Sequence, residues 1–178
     1  EKDMVLVTEK MKNLVDYKES RRKALQLLRT LDTQKAVRNK KVEEGLLNSP
    51  LLRNEKDAQS AAANKERYFT RLVLKGSIGD FESTLKELDE AHEFIRNNYD
   101  KLDFSEYHHA SVLSNMSARQ METGRFKQAF PTIQQHRSLK TRSITAHDYI
   151  FIFSHINLTN YYLATGEYEK GIGIVKEM

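Results

Sequence analysis

The chain is 178 residues long, 39% hydrophobic and 30% charged, with 7 glycines, 2 prolines and no cysteine. This length suits one domain, and so few glycines and prolines disfavour a many-stranded sandwich or barrel. The absence of cysteine excludes disulfides, cysteine-ligated zinc and thiol nucleophiles. No apolar run approaches the roughly 20 residues of a membrane span, so composition predicts an all-α soluble protein.

The net charge of +4 is unevenly distributed, with +7 on residues 1–75 and −3 on residues 76–178. A basic half can mark a protein that binds nucleic acid or an anionic membrane. Here the basic residues alternate with acidic ones, as in Lys18, Glu19 and Arg21. We therefore interpret the basic half as solvated helix faces.

Residues 1–52 are predicted to form divergent N-terminal helices. Apolar residues recur there at helical spacing in three stretches, and Asn48-Ser49-Pro50 ends the third. The stretches comprise Val5, Met11, Leu14 and Val15, then Tyr17, Ala24, Leu25, Leu27, Leu28 and Leu31, then Val37, Val42, Leu46 and Leu47. Residues 53–66 are polar and alanine-rich, and we expect a loop leading into the exposed start of a long helix that runs to about Lys75.

Three short segments of the form Gly-x-aromatic divide the rest of the chain. Their glycines, Gly79, Gly124 and Gly166, are 45 and 42 residues apart, and each lies between two amphipathic stretches. A glycine in the left-handed conformation ends a helix, and the aromatic residue packs back onto the helix pair. Helix pairs repeated at this spacing are typical of a helical solenoid, and we predict pairs at 56–101, 104–140 and 145–178.

The last segment carries a family resemblance. The run from Asn157-Leu158 through Tyr162, Gly166 and Tyr168 to Gly171 closely resembles a tetratricopeptide repeat. The resemblance covers residues 65–178, although the spacing of 42–45 residues exceeds the family's 34; segments 97–103 and 138–143 are where we expect the surplus. It implies an all-α fold, a right-handed α-α superhelix of antiparallel helix pairs. We assign residues 1–178 to one such domain.

Local signals place individual helices. Asp103-Phe104-Ser105-Glu106 and Thr145-Ala146-His147-Asp148 have the capping-box spacing for helices that start near 104 and 146. Pro131 falls early in the second helix of the middle pair, where we expect it to bend or offset the helix. Residues 149–153 look strand-like alone, but the repeat phase predicts a buried helix, with a partly exposed hydrophobic platform as the alternative.

No pattern in the sequence predicts a catalytic site, a metal site or a cofactor. The six histidines form no His-x-x-x-His pair, and the adjacent His108 and His109 point about 100° apart on a helix. A glycine-rich phosphate loop and a nucleophile elbow are both absent. RNA reading by helical repeats needs regular repeats, and the spacing here is irregular. We therefore predict a non-enzyme, and we consider nucleic acid an unlikely partner.

The repeat resemblance implies an interaction module. Proteins of this family commonly bind an extended peptide or a partner helix in their concave groove, and Asn115, Asn157 and Asn160 fall at positions that face it. Carboxamides can pair with a peptide backbone without reading its sequence, or they can bond neighbouring helices instead. The family's carboxylate-clamp lysine is replaced by Ser114 and Ile156, which disfavours a C-terminal carboxylate as ligand.

Two further expectations complete this interpretation. The chain begins Glu1-Lys2-Asp3 and ends within a helical pattern, so we expect a fragment of a longer cytoplasmic protein. Ile172, Ile174 and Val175 are expected to leave an apolar edge at the C-terminal end that a second copy or downstream residues cover. A ligand- or peptide-sensing regulatory domain of a bacterial signalling or transcription protein is the alternative function, and an RNA-binding helical repeat is the second alternative.

Overall fold

The structure, a computed structural model, describes residues 2–34 and 40–178, with side chains described for 2–27 and 42–178. Every regular element in these ranges is helical and no strand occurs among them, which confirms the all-α prediction. The helices are α1 (Lys2–Gln34), α2 (Lys40–Leu47), α3 (Pro50–Arg53), α4 (Ala61–Ile78), α5 (Phe81–Asn97), α6 (Ser105–Glu122), α7 (Phe126–Arg137), α8 (Ile144–Ala164) and α9 (Tyr168–Glu177), with 3-10 turns at Glu55–Asp57 and Tyr99–Lys101. The chain divides into two compact units, Glu1–Glu87 and Leu88–Met178.

The first two predicted N-terminal stretches lie on one continuous helix, α1. Its first half exposes most of its apolar side chains, whereas Tyr17 and Ala24 are fully buried in a core with Leu52, Ala63 and Leu74. The third stretch forms α2, and its predicted start at Val37 lies outside the described residues. The predicted side chains Leu28 and Leu31 also lie outside the residues whose side chains are described.

Helix α4 differs from the prediction at its start. Ser60 is the N-cap, and its hydroxyl accepts a hydrogen bond from the Ala63 backbone amide. The expectation of an exposed first turn is wrong: Ala63, Asn64 and Glu66 are buried. The reason is tertiary packing against α1, where Arg21 donates to Glu66 across 2.9 Å. A polar sequence is buried here because its polar groups have partners.

A buried carboxylate links α4 to α5. Glu87 accepts a hydrogen bond from Arg71 Nε at 2.7 Å and another from Lys75 Nζ at 2.6 Å. Burial raises the pKa of Glu87, but the bonds and charges of the two bases outweigh burial and leave that pKa below its usual value. This pair of bonds stabilises the ionised form of a side chain that is almost fully buried.

The three turn glycines adopt the predicted left-handed conformation, with φ of 81°, 73° and 80° at Gly79, Gly124 and Gly166. At two of them the hydrogen bonds form a Schellman motif. Arg125 N donates to Gln120 O at 2.7 Å, and Glu167 N donates to Tyr162 O at 2.8 Å. The end of α6 and the end of α8 therefore have the same geometry, 42 residues apart.

Both predicted capping boxes are wrong in detail. Phe104, itself in the left-handed region with φ of 55°, precedes α6 and makes no side-chain cap. Glu106 instead turns to the segment before α8, where it binds the Thr141 hydroxyl and accepts from Arg142 N at 3.1 Å. The N-cap of α8 is Ser143, two residues before the predicted Thr145, and it bonds Ala146 N.

Pro131 lies inside α7, which nevertheless continues as one helix to Arg137. Among residues 2–34 and 40–178, no helix combines the length and apolar character that a bilayer crossing requires.

Candidate functional site

The candidate site is an exposed apolar face on α8 and α9, within the unit Leu88–Met178. Helix α8 buries one side, including Ile150, Ser154 and Leu158. On the other side Ile152, Ile156 and Leu163 remain 43%, 38% and 47% exposed. At 100° per residue these three lie in a sector about 40° wide, so they form one stripe along the helix.

Residues 149–153 lie within α8, as the repeat phase predicts. The expectation that this run is buried in the core is wrong for three of its residues. Ile150 is buried, whereas Phe151, Ile152 and Phe153 are exposed. Phe153 stacks on Tyr149 with ring centroids 4.3 Å apart. The alternative interpretation, a partly exposed hydrophobic platform, describes these side chains.

Helix α9 adds a second apolar stripe. Tyr168, Ile172 and Val175 are exposed and follow the i, i+4, i+7 spacing of one helix face. Gly171 is buried against α8, where a Cβ would lie 3.6 Å from Tyr162 Cβ and 3.7 Å from Leu163 Cδ2. The close approach of α9 at Gly171 places its stripe beside the stripe of α8. Apolar stripes on neighbouring helices are typical of protein interaction surfaces.

The α8–α9 face can be compared with the equivalent face of the α6–α7 pair, 42 residues earlier in the same unit. Helix α6 packs against α8, where Ser114 and Ser117 bond to Asn157, and Ala110 is buried on the same side of α6 as these serines. Forty-two residues later the equivalent positions on α8 are Ile152, Ile156 and Thr159. The first two are the exposed isoleucines of the stripe. The side of α8 that corresponds to the helix-covered side of α6 is therefore largely uncovered.

The same comparison holds for the second helices of the two pairs. On α7, Phe130 lies 5.1 Å from the Tyr161 ring of α8 and Phe126 lies 6.3 Å from it. The equivalents on α9 are Ile172 and Tyr168, which are both exposed. In the α6–α7 pair this surface binds a helix, and in the α8–α9 pair it is open.

The three predicted asparagines have different environments. Asn157 is buried, and its Nδ2 lies 3.0 Å from Ser114 O, 3.2 Å from Ser114 Oγ and 3.0 Å from Ser117 Oγ. Asn115 is exposed and donates to Ser111 O of its own helix at 2.7 Å. Asn160 is exposed on the α8 stripe, next to Ile156 and Leu163. The carboxamide of Asn157 therefore links α8 to α6, and the proposed peptide contacts remain predictions for Asn115 and Asn160.

Sequence reasoning missed a cluster of three histidines in this unit, two of them buried and His92 half-buried. His92 of α5 and His109 of α6 have ring centroids 4.9 Å apart, and His136 of α7 is fully buried. Neither ring nitrogen of His136 has a hydrogen-bond partner among the described residues, and the same holds for His109 Nε2 and His92 Nδ1. The three side chains come from three helices, so no local spacing could reveal the cluster.

Burial sets the electrostatics of these histidines. It lowers the pKa of His109 to about 4, with further lowering by the charges of His92 and Arg96. Burial lowers the pKa of His136 to about 4 as well, helped by the charge of His109. Both rings are therefore neutral at pH 7. Among the described residues, no group of three histidine, aspartate or glutamate side chains is placed to hold a metal ion.

Comparison with family models, with curated proteins and with solved structures gave no match.

Proposed function

We propose that the chain is a protein-interaction module, without catalysis of its own, that binds an amphipathic helix of a partner on the α8–α9 face. The observation that carries the proposal is the register: Ile156 occupies the position of Ser114, which binds Asn157 of α8, and Ile152 occupies the position of the buried Ala110 on the same side of α6. Covering an exposed apolar stripe of this kind favours binding by about 25 cal/mol per Å² of apolar surface removed from water.

The packing order of unit Leu88–Met178 supports a tetratricopeptide-like superhelix for this region. Helix α6 packs on both α7 and α8, α7 packs on α8, and α8 packs on α9. In a solenoid of helix pairs each pair packs only on its neighbours, and here the first helix of the last pair, α8, packs on both helices of the pair before it. A partner helix on the α8–α9 face would continue that order.

The register also predicts what the bound helix looks like. Asn157 of α8 bonds to Ser114 and Ser117 of α6. On the α8 face the position of Ser114 is taken by Ile156, whose side chain cannot accept a hydrogen bond, whereas Thr159 keeps a hydroxyl at the position of Ser117. We therefore expect an apolar residue in the partner where α8 has Asn157, because a carboxamide there would lose one of its side-chain acceptors and lie against an isoleucine.

A synthetic helix tests the proposal directly. The probe is a fluorescent peptide of residues 144–164 that carries Asn157→Leu, and anisotropy measures its binding to the 178-residue chain. The double variant Ile152→Asp, Ile156→Asp should weaken binding by about tenfold or more. Each substitution removes about 1–2 kcal/mol of binding free energy, because an isoleucine side chain is no longer buried by the peptide. Ile144→Asp is the matched control, since Ile144 is exposed on another side of the same helix.

Peptide binding that is lost in the double variant and kept in Ile144→Asp supports the proposal. Absence of binding to the unchanged chain, or equal binding to all three chains, contradicts it. Sedimentation equilibrium of the unchanged chain and the double variant then distinguishes a second copy from another protein as the partner. A dimer that dissociates in the double variant identifies the second copy.

Asn160 offers a further contact for the bound partner. Its carboxamide lies on the α8 stripe and can pair with polar groups at the edge of the bound helix or with an extended peptide. Asn160→Ala should therefore weaken peptide binding without a loss of folding stability.

A further inference from the structure

A second feature lies in the other unit, Glu1–Glu87, far along the chain from the α8–α9 face. Residues 53–57 and Arg67 line a cleft of 840 Å³ between α3 and α4. The segment that forms its wall is held by side chains from α1 and α4. Asn13 Nδ2 donates to Asp57 O at 3.0 Å, and Asn64 Nδ2 donates to Glu55 Oε1 at 2.8 Å. The cleft therefore has a fixed wall rather than a free loop.

Arg67 is the unusual side chain of this cleft. It is 6% exposed, and its Nε donates to Leu52 O at 3.2 Å. Its Nη1 is buried without a hydrogen-bond partner, and no carboxylate among the described residues forms an ion pair with it. Burying a guanidinium is costly unless an anion pairs with it.

The neighbouring Arg71 also donates to Leu52 O, but it has a carboxylate partner that Arg67 lacks. It donates from Nη1 to the same Leu52 O at 3.0 Å, and its Nε donates to Glu87 at 2.7 Å. Arg71 thus caps the end of α3 and also has its own carboxylate. Arg67 has the first of these contacts and lacks the second.

The rest of the cleft favours an anion. Arg53 and Lys56 add two positive charges, and of the two acids Glu55 is already engaged by Asn64. The Tyr17 hydroxyl is buried nearby without a hydrogen-bond partner in the described part of the chain. Burial and the charge of Asp57 raise the pKa of Tyr17, partly offset by Arg67, so the hydroxyl keeps its proton and can donate it.

We propose that this cleft binds the oxyanion group of a small ligand, a carboxylate or a phosphate, on the guanidinium of Arg67. The Nε is occupied by Leu52 O and Nη1 is buried, so the oxyanion would meet the Nη edge of the guanidinium and supply the acceptor that Nη1 lacks. Lys56 and Arg53 add charge at the rim, and Asp57 disfavours ligands with a second anionic group close to the first.

Thermal unfolding of the full chain tests the site, with sodium phosphate and sodium acetate as probes and sodium chloride of equal ionic strength as the reference. A ligand that binds only the folded state raises the Tm, and the increase grows with the logarithm of its concentration once that exceeds Kd. We expect phosphate or acetate to raise the Tm above the chloride value in the unchanged chain and in Arg142→Gln, whose side chain is exposed in the other unit. Arg67→Gln should lose that increment.

The two probes separate the sources of the oxyanion: a response to phosphate alone assigns a phosphate ligand, and a response to acetate alone assigns a carboxylate. Equal Tm values in all three salts, or an increment that survives Arg67→Gln, overturn the proposal. The increment should also persist in the Ile152→Asp, Ile156→Asp variant, so the outcome does not depend on the proposed helix-binding face.

A second measurement covers the case in which Arg67→Gln fails to fold. Nitrogen-proton correlation spectra of the unchanged chain, titrated with the same three salts, should show oxyanion-specific shifts at the Arg67 Nε–H and at the amides of residues 54–57. Shifts that are confined to other residues, or that chloride reproduces, contradict the site.

Discussion

His92 and His109 lie side by side on two different helices, with ring centroids 4.9 Å apart and a 40° angle between the ring planes. Asp89, Glu93 and Arg96 supply the charges that act on His92, and Arg96 also acts on His109. Burial and the charge of Arg96 lower the pKa of both rings, and at His92 they outweigh the opposite effect of Asp89 and Glu93, so the pair is neutral at pH 7.

Acid should destabilise the unit Leu88–Met178. The pKa values of His109 and His136 are about 4 in the folded state against 6.5 as the ordinary value. The unfolded chain therefore binds more protons between these values, and stability falls as the pH decreases from about 6.5 to 4. The full effect is about 3 kcal/mol for each ring. Urea unfolding at a series of pH values measures it.

His136→Phe should reduce this pH dependence, since it removes a titrating ring from a fully buried position. His147→Gln is the control, because His147 is exposed and has no buried environment to lose. An unchanged slope of stability against pH in His136→Phe would show that the acid sensitivity has another source.

Asn157 is expected to matter for folding more than for binding. Asn157→Ala removes an amide that bonds to Ser114 and Ser117 and leaves their buried oxygens without that donor. The loss should be about 1–3 kcal/mol of unfolding free energy. Asn115→Ala, at an exposed site 42 residues earlier, should change stability by less than about 0.5 kcal/mol. Equal losses in the two variants would contradict the assigned roles.

Glu87→Gln should destabilise the unit Glu1–Glu87. The substitution removes the charge that Arg71 and Lys75 share and leaves both bases without their anion. We expect a loss of about 2 kcal/mol or more at pH 7. Because the pKa of Glu87 is lowered in the folded state, its contribution is present above about 4.5 and disappears as the pH falls below that value. Glu9→Gln on the exposed part of α1 is the control, and its unfolding curve should match that of the unchanged chain.

Two glycine substitutions should act with opposite signs. Gly166→Ala places a Cβ in a left-handed residue with φ of 80° and should cost about 1 kcal/mol. Gly173→Ala lies within α9 where a Cβ meets nothing within 4 Å, and it should stabilise the helix by up to about 1 kcal/mol. Thermal unfolding of the two variants checks the signs. An unchanged Tm in Gly166→Ala would refute strain at that position, and a lower Tm in Gly173→Ala would refute the prediction for α9.

Local signals in the sequence predict most of the helices. A glycine that ends a helix is a property of its own backbone, which is why Gly79, Gly124 and Gly166 could be placed as turns. Helix caps depend more on contacts with residues that are distant in the sequence. The box at Asp103 fails because Glu106 finds stronger partners in the segment before α8, 35 to 37 residues away.

Side-chain roles depend on tertiary contacts that periodicity does not contain. Asn115 and Asn157 occupy equivalent repeat positions, yet only Asn157 faces a helix that accepts its hydrogen bonds. The histidine cluster and the cleft at Arg67 likewise join residues from separate helices. The exposed isoleucines of α8 were within a predicted helix, but whether another helix covers them is a matter of packing.

Glu106 makes the number of residues between the start of α8 and Asn157 a determinant of helix phase. Its carboxylate binds the backbone amides of Arg142 and Ser143, so the start of α8 is anchored to α6. If one residue were deleted between this anchor and Asn157, the later part of α8 would rotate by about 100°. Asn157 would then take the exposed place of Ile156 and lose its contacts with Ser114. Insertions and deletions should therefore be tolerated at 138–140 and not between 143 and 157.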